Sequence, residues 1–197
     1  MLRPWTAARS GGSALSRRAV LTGLAGLAAA ATFVTATGPA SAAIPRIPSS
    51  PGRLRFNNLH TGETLDVTYR EKGTYLPDAL SEMNRILRDH RTGDVHEIDP
   101  ALFDILVDLS RAVDKPKGTF NIISGYRSPK TNAMLASASG GVAKRSLHMD
   151  GMAIDISMDG AGLKHLRDAA IGLQRGGVGF YPKSGFVHVD TGRVRSW

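Results

Sequence analysis

Residues 146–158 read SLHMDGMAIDISM, and this stretch holds the strongest local pattern of the chain. His148 ends a polar loop, Gly151 permits a sharp turn, and Asp155 lies in an alternating run at residues 152–158 that predicts a β-strand. A loop, a turn and a strand in this order can bring an imidazole and a carboxylate close together. The stretch therefore indicates a candidate metal site at the start of a strand.

A second histidine follows in another short strand. Residues 186–190 read FVHVD, and His188 lies 33 positions beyond Asp155. Because side chains alternate faces along a strand, His188 and Asp190 project to the same side. Two histidines and one aspartate make a zinc shell that keeps a position open for water. The spacing alone also fits a plain loop histidine at position 148 and a hydrogen-bonding Asp155 at a strand end.

The elements around these strands mix helices and strands without a regular repeat. The pattern predicts a β-hairpin at residues 54–69, helices beginning at Pro77 and at Pro100, a buried strand at residues 120–123, a short helix at residues 129–138, a helix at residues 161–175 and a strand at residues 177–180. Two helices precede the main strands, and no β-α-β alternation appears. We therefore expect an α+β fold, a single small domain with a central, mainly antiparallel sheet flanked by helices.

The N-terminal segment has the features of an export signal. An apolar, alanine-rich run at residues 19–34 follows arginines without acidic residues, and ASA at residues 40–42 resembles a cleavage site. SRRAVL at residues 16–21 resembles a twin-arginine signal. We therefore predict a twin-arginine signal peptide at residues 1–42, a flexible leader at residues 43–53 and the folded domain at residues 54–197. An uncleaved membrane anchor is the alternative, although the run is short and no basic stop-transfer flank follows it.

The composition limits both the chemistry and the partners. The chain has no cysteine, so a metal must be held by histidine and carboxylate side chains. The formal charge of +8 includes four arginines of residues 1–42, which leaves a mildly basic charge of about +4 on the rest. That charge suits an anionic cell-wall polymer or a membrane surface. Lysine and arginine do not cluster with aromatic residues, so we expect no nucleic-acid partner.

Three blocks of sequence together resemble the M15-type zinc peptidases, the superfamily of the D-alanyl-D-alanine metallopeptidases and the hedgehog domain. The blocks are SGYRS at residues 124–128, SLHMDGMAID at residues 146–155, and VGFY at residues 178–181 with HVD at residues 188–190. The family pattern S-x-H-x-x-G-x-A-x-D is met by Ser146, His148, Gly151, Ala153 and Asp155. Within the superfamily, residues 54–197 are most similar to the murein endopeptidase K-like group.

The resemblance implies a hedgehog-like or D,D-peptidase-like fold and a role for each matching residue. One Zn²⁺ per chain would be held by His148, Asp155 and His188. Arg127 would lie beside the metal and stabilise the oxyanion that forms during hydrolysis. Ser146 would hydrogen-bond the substrate or orient the site. Tyr126 and Tyr181 are candidates to line the groove, with Tyr126 also a candidate substrate contact, although an aromatic ring packed at the edge of the groove is an equal interpretation.

One departure from the family pattern concerns the general base. Many M15 enzymes carry a glutamate three residues before the last histidine, and here that position is Gly185. Asp190 is then the candidate base for metal-assisted hydrolysis, since its carboxylate shares a strand face with His188. The equally weighted alternative is that Asp190 accepts a hydrogen bond from a ligand histidine and fixes the orientation of its ring.

These observations predict an exported zinc peptidase that hydrolyses crosslinks or stem peptides of peptidoglycan in the periplasm or cell envelope. We expect a monomer whose partner is peptidoglycan, without stable membrane insertion once the signal is removed. A non-catalytic, zinc-containing peptidoglycan-binding module is the alternative. Gly185 favours that module, whereas Arg127 and Asp190 together favour the enzyme. A third interpretation, an anchored structural protein of the cell wall, is supported only by the apolar N-terminal segment.

Replacing Arg17 and Arg18 by lysine should block export, because the twin-arginine route reads the arginine pair. Export is measured by cell fractionation and by N-terminal sequencing of the exported chain, which should begin near Ala43. Arg9→Lys is the matched control, since it leaves the pair intact. Normal export of the doubly substituted chain would indicate the general secretory route instead.

Overall fold

Eight strands form one mixed sheet in the computed structural model, which describes residues 48–138 and 143–197. The strands are β1 (Gly52–Asn58), β2 (Thr64–Glu71), β3 (Thr74–Tyr75), β4 (Thr119–Ser124), β5 (Ala153–Met158), β6 (Gly177–Tyr181), β7 (Phe186–Asp190) and β8 (Arg195–Ser196). Their order across the sheet is β3-β2-β1-β4-β5-β7-β6-β8. The predicted signal peptide at residues 1–42 lies outside the described residues, as do residues 43–47 of the predicted leader.

Four helices within the described residues connect and cover these strands: α1 (Pro77–Ile86), α2 (Pro100–Ala112), α3 (Pro129–Ala138) and α4 (Leu163–Leu173). Three of them begin with proline, whose fixed φ suits the first helical position. Asp99 caps α2 because its side chain accepts a hydrogen bond from the backbone N–H of Ala101 at 2.9 Å. In the part of the chain that is described, no helix combines the length and the apolar character needed to cross a membrane.

Most strand pairs are antiparallel. Only β1 with β4 and β6 with β8 run parallel among the described pairs. Helix α1 packs against β2, α2 packs against β1 and α4, and α4 packs against β5, β6 and β7. The prediction of a small α+β domain with a mainly antiparallel sheet is confirmed.

The side chains of β5 and β7 divide into an apolar face and a polar face. The buried core takes Ile154 and Ile156 from β5 and Val187 and Val189 from β7. Asp155 and His188 alternate with these residues, so they project from the other face, directly opposite each other in the strand register. Packing of the aliphatic residues therefore also fixes where the two polar side chains lie.

Several boundaries and two short strands differ from the sequence-based expectations. Strand β1 begins at Gly52, inside the predicted leader, where the ring of Tyr69 packs so closely that a Cβ would lie 2.8 Å from it. Helix α4 ends at Leu173 because Gln174 adopts a left-handed conformation with φ of 53°. Strands β3 and β8 were not predicted, since two residues are too few to show an alternating pattern.

Candidate metal centre

Three side chains from separate parts of the chain converge on one point beside the sheet. Asp155 Oδ1 lies 2.8 Å from His188 Nδ1 and 3.3 Å from His148 Nε2, and those two nitrogens are 3.2 Å apart. All three side chains are buried. One atom from each lies within 4.8 Å of the others, close enough to hold one metal ion. The structure thus brings together the three ligands that the sequence comparison implied.

A tight turn carries His148 to the two strand residues. The backbone N–H of Met152 donates to the carbonyl oxygen of Leu147 at 2.9 Å, which reverses the chain just before β5. Gly151 in this turn has φ of 67°, and a Cβ there would collide with the carbonyl oxygen of Glu97. The position therefore needs glycine for its backbone conformation and for the space it leaves.

Hydrogen bonds on the outer edge of each ring decide which nitrogen faces the centre. His148 Nδ1 lies 2.7 Å from the carbonyl oxygen of Gly125, so Nδ1 carries the hydrogen and Nε2 presents its lone pair. His188 Nε2 lies 3.1 Å from Asp190 Oδ2, and in the tautomer with its hydrogen on Nε2 the ring presents the lone pair of Nδ1 to the centre. Two bare nitrogens and an oxygen of Asp155 then face one another, an arrangement that a cation stabilises. Two imidazoles and a carboxylate are a donor set that fits zinc.

The electrostatics of the centre also favour a bound cation. Burial alone disfavours an ionised Asp155, but His148 and His188 outweigh this effect and hold the pKa of Asp155 well below its ordinary value. Burial likewise disfavours a protonated His188, yet hydrogen bonds to Asp155 and Asp190 raise the pKa of His188. The centre therefore attracts positive charge, whether from a proton or from a metal ion.

Asp190 lies behind His188, on the same side of β7 as the alternation predicts. Its fully buried carboxylate accepts hydrogen bonds from Arg195 at 3.0 and 2.7 Å, from the backbone N–H of Gly177 at 3.0 Å and from that of Gly192 at 2.8 Å. Burial opposes ionisation, but the hydrogen bonds to His188 and Arg195 dominate and keep the pKa of Asp190 well below its ordinary value. The carboxylate contacts Nε2 of His188, the ring edge that faces away from the converging atoms.

Arg127 reaches the centre from the segment that follows β4. Its Nη2 lies 3.6 Å from Asp155 Oδ2. Its other contacts are long, 3.4 Å to Asn132 Oδ1 and 3.4 Å to Ser124 Oγ, and its buried Nε has no hydrogen-bond partner among the described residues. Burial lowers the pKa of Arg127, and Asp155 partly offsets this effect. Hydrogen-bond donors of this guanidinium therefore remain available to a ligand.

The backbone on either side of Arg127 is held by specific contacts. Its own N–H donates to the carbonyl oxygen of His148 at 3.1 Å, which links the arginine segment to a candidate metal ligand. The next residue, Ser128, donates from its N–H and its hydroxyl to Asp89 at 2.9 and 2.7 Å. Asp89 is buried and was not singled out from the sequence, because nothing near it in the chain shows that its partner lies 39 residues away.

A cleft of about 290 Å³ opens over the three ligands. Tyr181, Phe186 and Trp197 line it as an aromatic wall, in which the rings of Tyr181 and Phe186 stack at 4.6 Å. Trp197 Nε1 donates to the hydroxyl of Tyr181 at 2.8 Å and so fixes the third ring. Arg145 and Arg195 also line the cleft. Of these five residues, the sequence analysis had named only Tyr181 as a possible groove residue.

The two residues expected to contact substrate behave differently. Ser146 lines the cleft beside His148. Tyr126 is not among the lining residues, and its ring stacks on His96 with centroids 4.6 Å apart. The structure therefore supports the packing interpretation of Tyr126 rather than a substrate contact.

Gly185 lies in the turn between β6 and β7, where a φ of 76° favours glycine. The residue is exposed, and the space where a side chain would begin is open. The geometry of the hairpin therefore explains the glycine. Among the described residues that line the cleft, Asp155 carries the only carboxylate.

Comparisons with known proteins add to these observations. Residues 47–197 match the model of the family described as peptidoglycan L,D-endopeptidase MepK. The chain is 40% identical over 182 residues to the peptidoglycan L,D-endopeptidase MepK of Escherichia coli (strain K12), which covers 92% of this chain and 97% of the relative. It is 41% identical over 147 residues to the probable peptidoglycan L,D-endopeptidase MepK of Haemophilus influenzae, covering 75% of this chain and 79% of that relative.

The family match contains both strands of the metal centre and the segment that carries Arg127. No solved structure gives a significant match. The resemblance to the murein endopeptidase K-like group is confirmed, and the chain belongs to the M15-type peptidase family of the peptidoglycan L,D-endopeptidase MepK.

Proposed function

We propose that this chain is an exported, zinc-dependent peptidase that hydrolyses peptide crosslinks in peptidoglycan. The observation that carries the proposal is the convergence of His148, Asp155 and His188 beside Arg127 in an open cleft. The relatives are named for endopeptidase action on peptidoglycan. A three-ligand centre with an open side and a neighbouring cation suits hydrolysis of an amide.

The chain's own residues divide the work of that hydrolysis. His148, Asp155 and His188 would hold one Zn²⁺, and a zinc ion held there supplies a Lewis acid together with water of pKa about 7. Arg127 lies beside Asp155 with unused donors, so its guanidinium is placed to bind the amide oxygen as that oxygen gains negative charge. One water is consumed for each bond, and the products are a carboxylate and an amine.

For Asp190 we favour the orienting role over the role of general base. Its carboxylate is already occupied by His188, Arg195 and two backbone N–H groups. A carboxylate that accepts the Nε2 hydrogen of His188 keeps the other nitrogen bare and makes it a better ligand. Since Asp155 is the only carboxylate among the described residues of the cleft, we assign no separate base.

The proposed location is the periplasm or cell envelope, because peptidoglycan is the substrate in the names of the relatives. The SRRAVL sequence at residues 16–21 supports export by the twin-arginine pathway. A monomer is the proposed active unit, because His148, Asp155 and His188 of a single chain already converge on one point.

A second candidate function is a zinc-containing module that binds peptidoglycan without cutting it. Two observations favour this alternative: Gly185 occupies an exposed turn, and no second carboxylate lines the cleft in the described part of the chain. The guanidinium of Arg127, which lines the cleft and makes only long contacts there, favours the enzyme. Digestion of purified peptidoglycan separates the two functions.

Zinc-loaded protein should convert crosslinked muropeptides into their monomers, and removal of zinc by a chelator should stop the reaction. His148→Ala and His188→Ala should each lose both the metal and the activity, because two protein ligands hold zinc poorly. Elemental analysis should give one zinc per chain for the unmodified protein, and mass spectrometry of the muropeptides reports cleavage.

His165→Ala is the matched control, since this histidine is exposed on α4 outside the cleft. The control should keep zinc and activity. Full zinc occupancy in both ligand variants would remove these histidines from the metal shell. Intact muropeptides in the presence of fully zinc-loaded protein would favour the binding module.

Arg127→Lys should reduce turnover by on the order of 10²-fold or more while leaving zinc affinity nearly unchanged. Lysine keeps the positive charge but loses the planar fork of donors. Steady-state kinetics on a crosslinked peptide and a zinc titration measure the two effects separately. Arg193→Lys, at an exposed position outside the cleft lining, is the control. Turnover near that of the unmodified protein would mean that Arg127 has a structural role only.

Asp190→Asn should weaken zinc binding by roughly 10–100-fold. The neutral amide accepts the Nε2 hydrogen of His188 more weakly than the carboxylate does, so it orients the ring less well. Turnover should recover largely at saturating zinc if Asp190 only orients the ring. A thermal unfolding scan confirms that the variant folds despite the loss of the Arg195 ion pair. If zinc affinity is unchanged but turnover is lost, Asp190 acts as the general base. If neither zinc affinity nor turnover changes, both roles are contradicted.

A further inference from the structure

The cleft carries more positive charge than the metal chemistry uses. Three arginines line it, and Asp155 supplies the only carboxylate among the described lining residues. That carboxylate is already engaged by the two ligand histidines and by Arg127. An anionic group of the substrate would therefore meet a favourable potential in this cleft.

Two of the three arginines already have partners. Arg127 lies 3.6 Å from Asp155 and is assigned to the reacting amide. Arg195 forms two hydrogen bonds with the buried carboxylate of Asp190, and its guanidinium lies 4.8 Å from the ring centroid of Trp197. The guanidinium of Arg127 thus serves the reacting amide, and that of Arg195 holds Asp190 behind His188.

Arg145 has no such commitment. Its side chain is exposed, lines the cleft, and forms no hydrogen bond or ion pair within the described residues. It lies three residues before His148, so a ligand that it holds must lie close to the metal centre. A guanidinium binds a carboxylate through two parallel hydrogen bonds, which gives both affinity and orientation.

The backbone that carries Arg145 is anchored on both sides. The buried amide of Asn132 on α3 donates to the carbonyl oxygens of Ala143 and Lys144, at 3.1 and 3.4 Å. On the other side, the carbonyl oxygen of Ser146 accepts from the N–H of Met149 at 2.9 Å. Asn132 also accepts a hydrogen bond from Arg127. The side chain of Asn132 therefore contacts both the guanidinium of Arg127 and the backbone that precedes Arg145.

The chemistry of a peptidoglycan crosslink supplies the anion. Where a peptide is joined to the side-chain amine of diaminopimelate, the carbon that bears the scissile nitrogen also bears a free carboxylate. That carboxylate is three bonds from the carbonyl carbon under attack, whereas an ordinary internal peptide bond has an amide there. A cation beside the metal centre therefore distinguishes the crosslink from an ordinary peptide.

We propose that Arg145 forms the subsite for this free carboxylate on the amine side of the scissile bond. The proposal rests on the peptidase function above and adds the feature of the substrate that the cleft recognises. The short hydrocarbon chain of diaminopimelate lies in the same cleft as the aromatic wall of Tyr181, Phe186 and Trp197, which supplies apolar contact. If the cleft only attracted anionic polymers in general, affinity would depend on the total charge of the substrate and not on one carboxylate.

The test uses two synthetic crosslinked peptides that differ only in this group, one with the free carboxylate and one with its carboxamide. Relative kcat/KM values are measured on zinc-loaded protein. Dissociation constants are measured by calorimetry on uncleavable analogues that carry CH₂ in place of the scissile N–H. The proteins are the unmodified chain, Arg145→Gln, Arg145→Lys and Lys144→Gln. Lys144 is the matched control, since it is an exposed neighbouring cation that does not line the cleft.

The unmodified protein should prefer the free carboxylate by on the order of 10–100-fold, in binding and in kcat/KM, as expected for a charge-assisted hydrogen bond. Arg145→Gln should lose most of this preference, Arg145→Lys should keep part of it, and Lys144→Gln should keep all of it. Zinc content and thermal unfolding should be unchanged in Arg145→Gln, because the residue is exposed.

The outcomes separate this proposal from the peptidase function. Equal affinity of the unmodified protein for both analogues would overturn the subsite, as would an undiminished preference in Arg145→Gln. Cleavage of both peptides at equal rates would leave the peptidase intact and remove the subsite. Tight, Arg145-dependent binding without cleavage would support the subsite and count against the enzyme.

Discussion

The pairing of β5 with β7 is the constraint on which the metal centre depends. It sets Asp155 opposite His188 on one face of the sheet, while Ile154 and Val189 hold the other face in the core. Because side chains alternate with a period of two, a slip of one residue would bury the ligands in the core and expose the aliphatic side chains. The burial of apolar surface that stabilises the fold therefore also fixes the positions of two ligands.

Carboxylates and arginines lie on both sides of His188. Arg195, Asp190, His188, Asp155 and Arg127 follow one another in a continuous series of contacts. An isolated charge at such a depth would cost several kcal/mol, and each of these charged groups has an opposite neighbour that offsets part of this cost. The series places two carboxylates around His188, so the imidazole is held on both edges. This arrangement explains why the ring keeps one orientation.

The convergence of His148, Asp155 and His188 was expected from the family resemblance, and local rules account for part of it. Alternation along β7 places His188, and a glycine turn brings His148 back towards β5. Arg195 was missed because it reaches Asp190 through the parallel pairing of β8 with β6, which no local periodicity reveals. The two interpretations of Tyr126 stayed open for a related reason: it lies in an irregular segment, where no period determines the direction of a side chain.

The hairpin between β6 and β7 explains how this centre lacks the glutamate that many M15 enzymes carry. The turn requires a left-handed residue at Gly185, and a side chain there would begin in open solvent. In the proposed mechanism, Arg127 would then polarise the amide together with a metal ion held by His148, Asp155 and His188. The contact with Asp155 helps to keep this guanidinium charged although burial lowers its pKa. With Arg145 as a further cation in the same cleft, the substrate is selected by its negative charge close to the reacting bond.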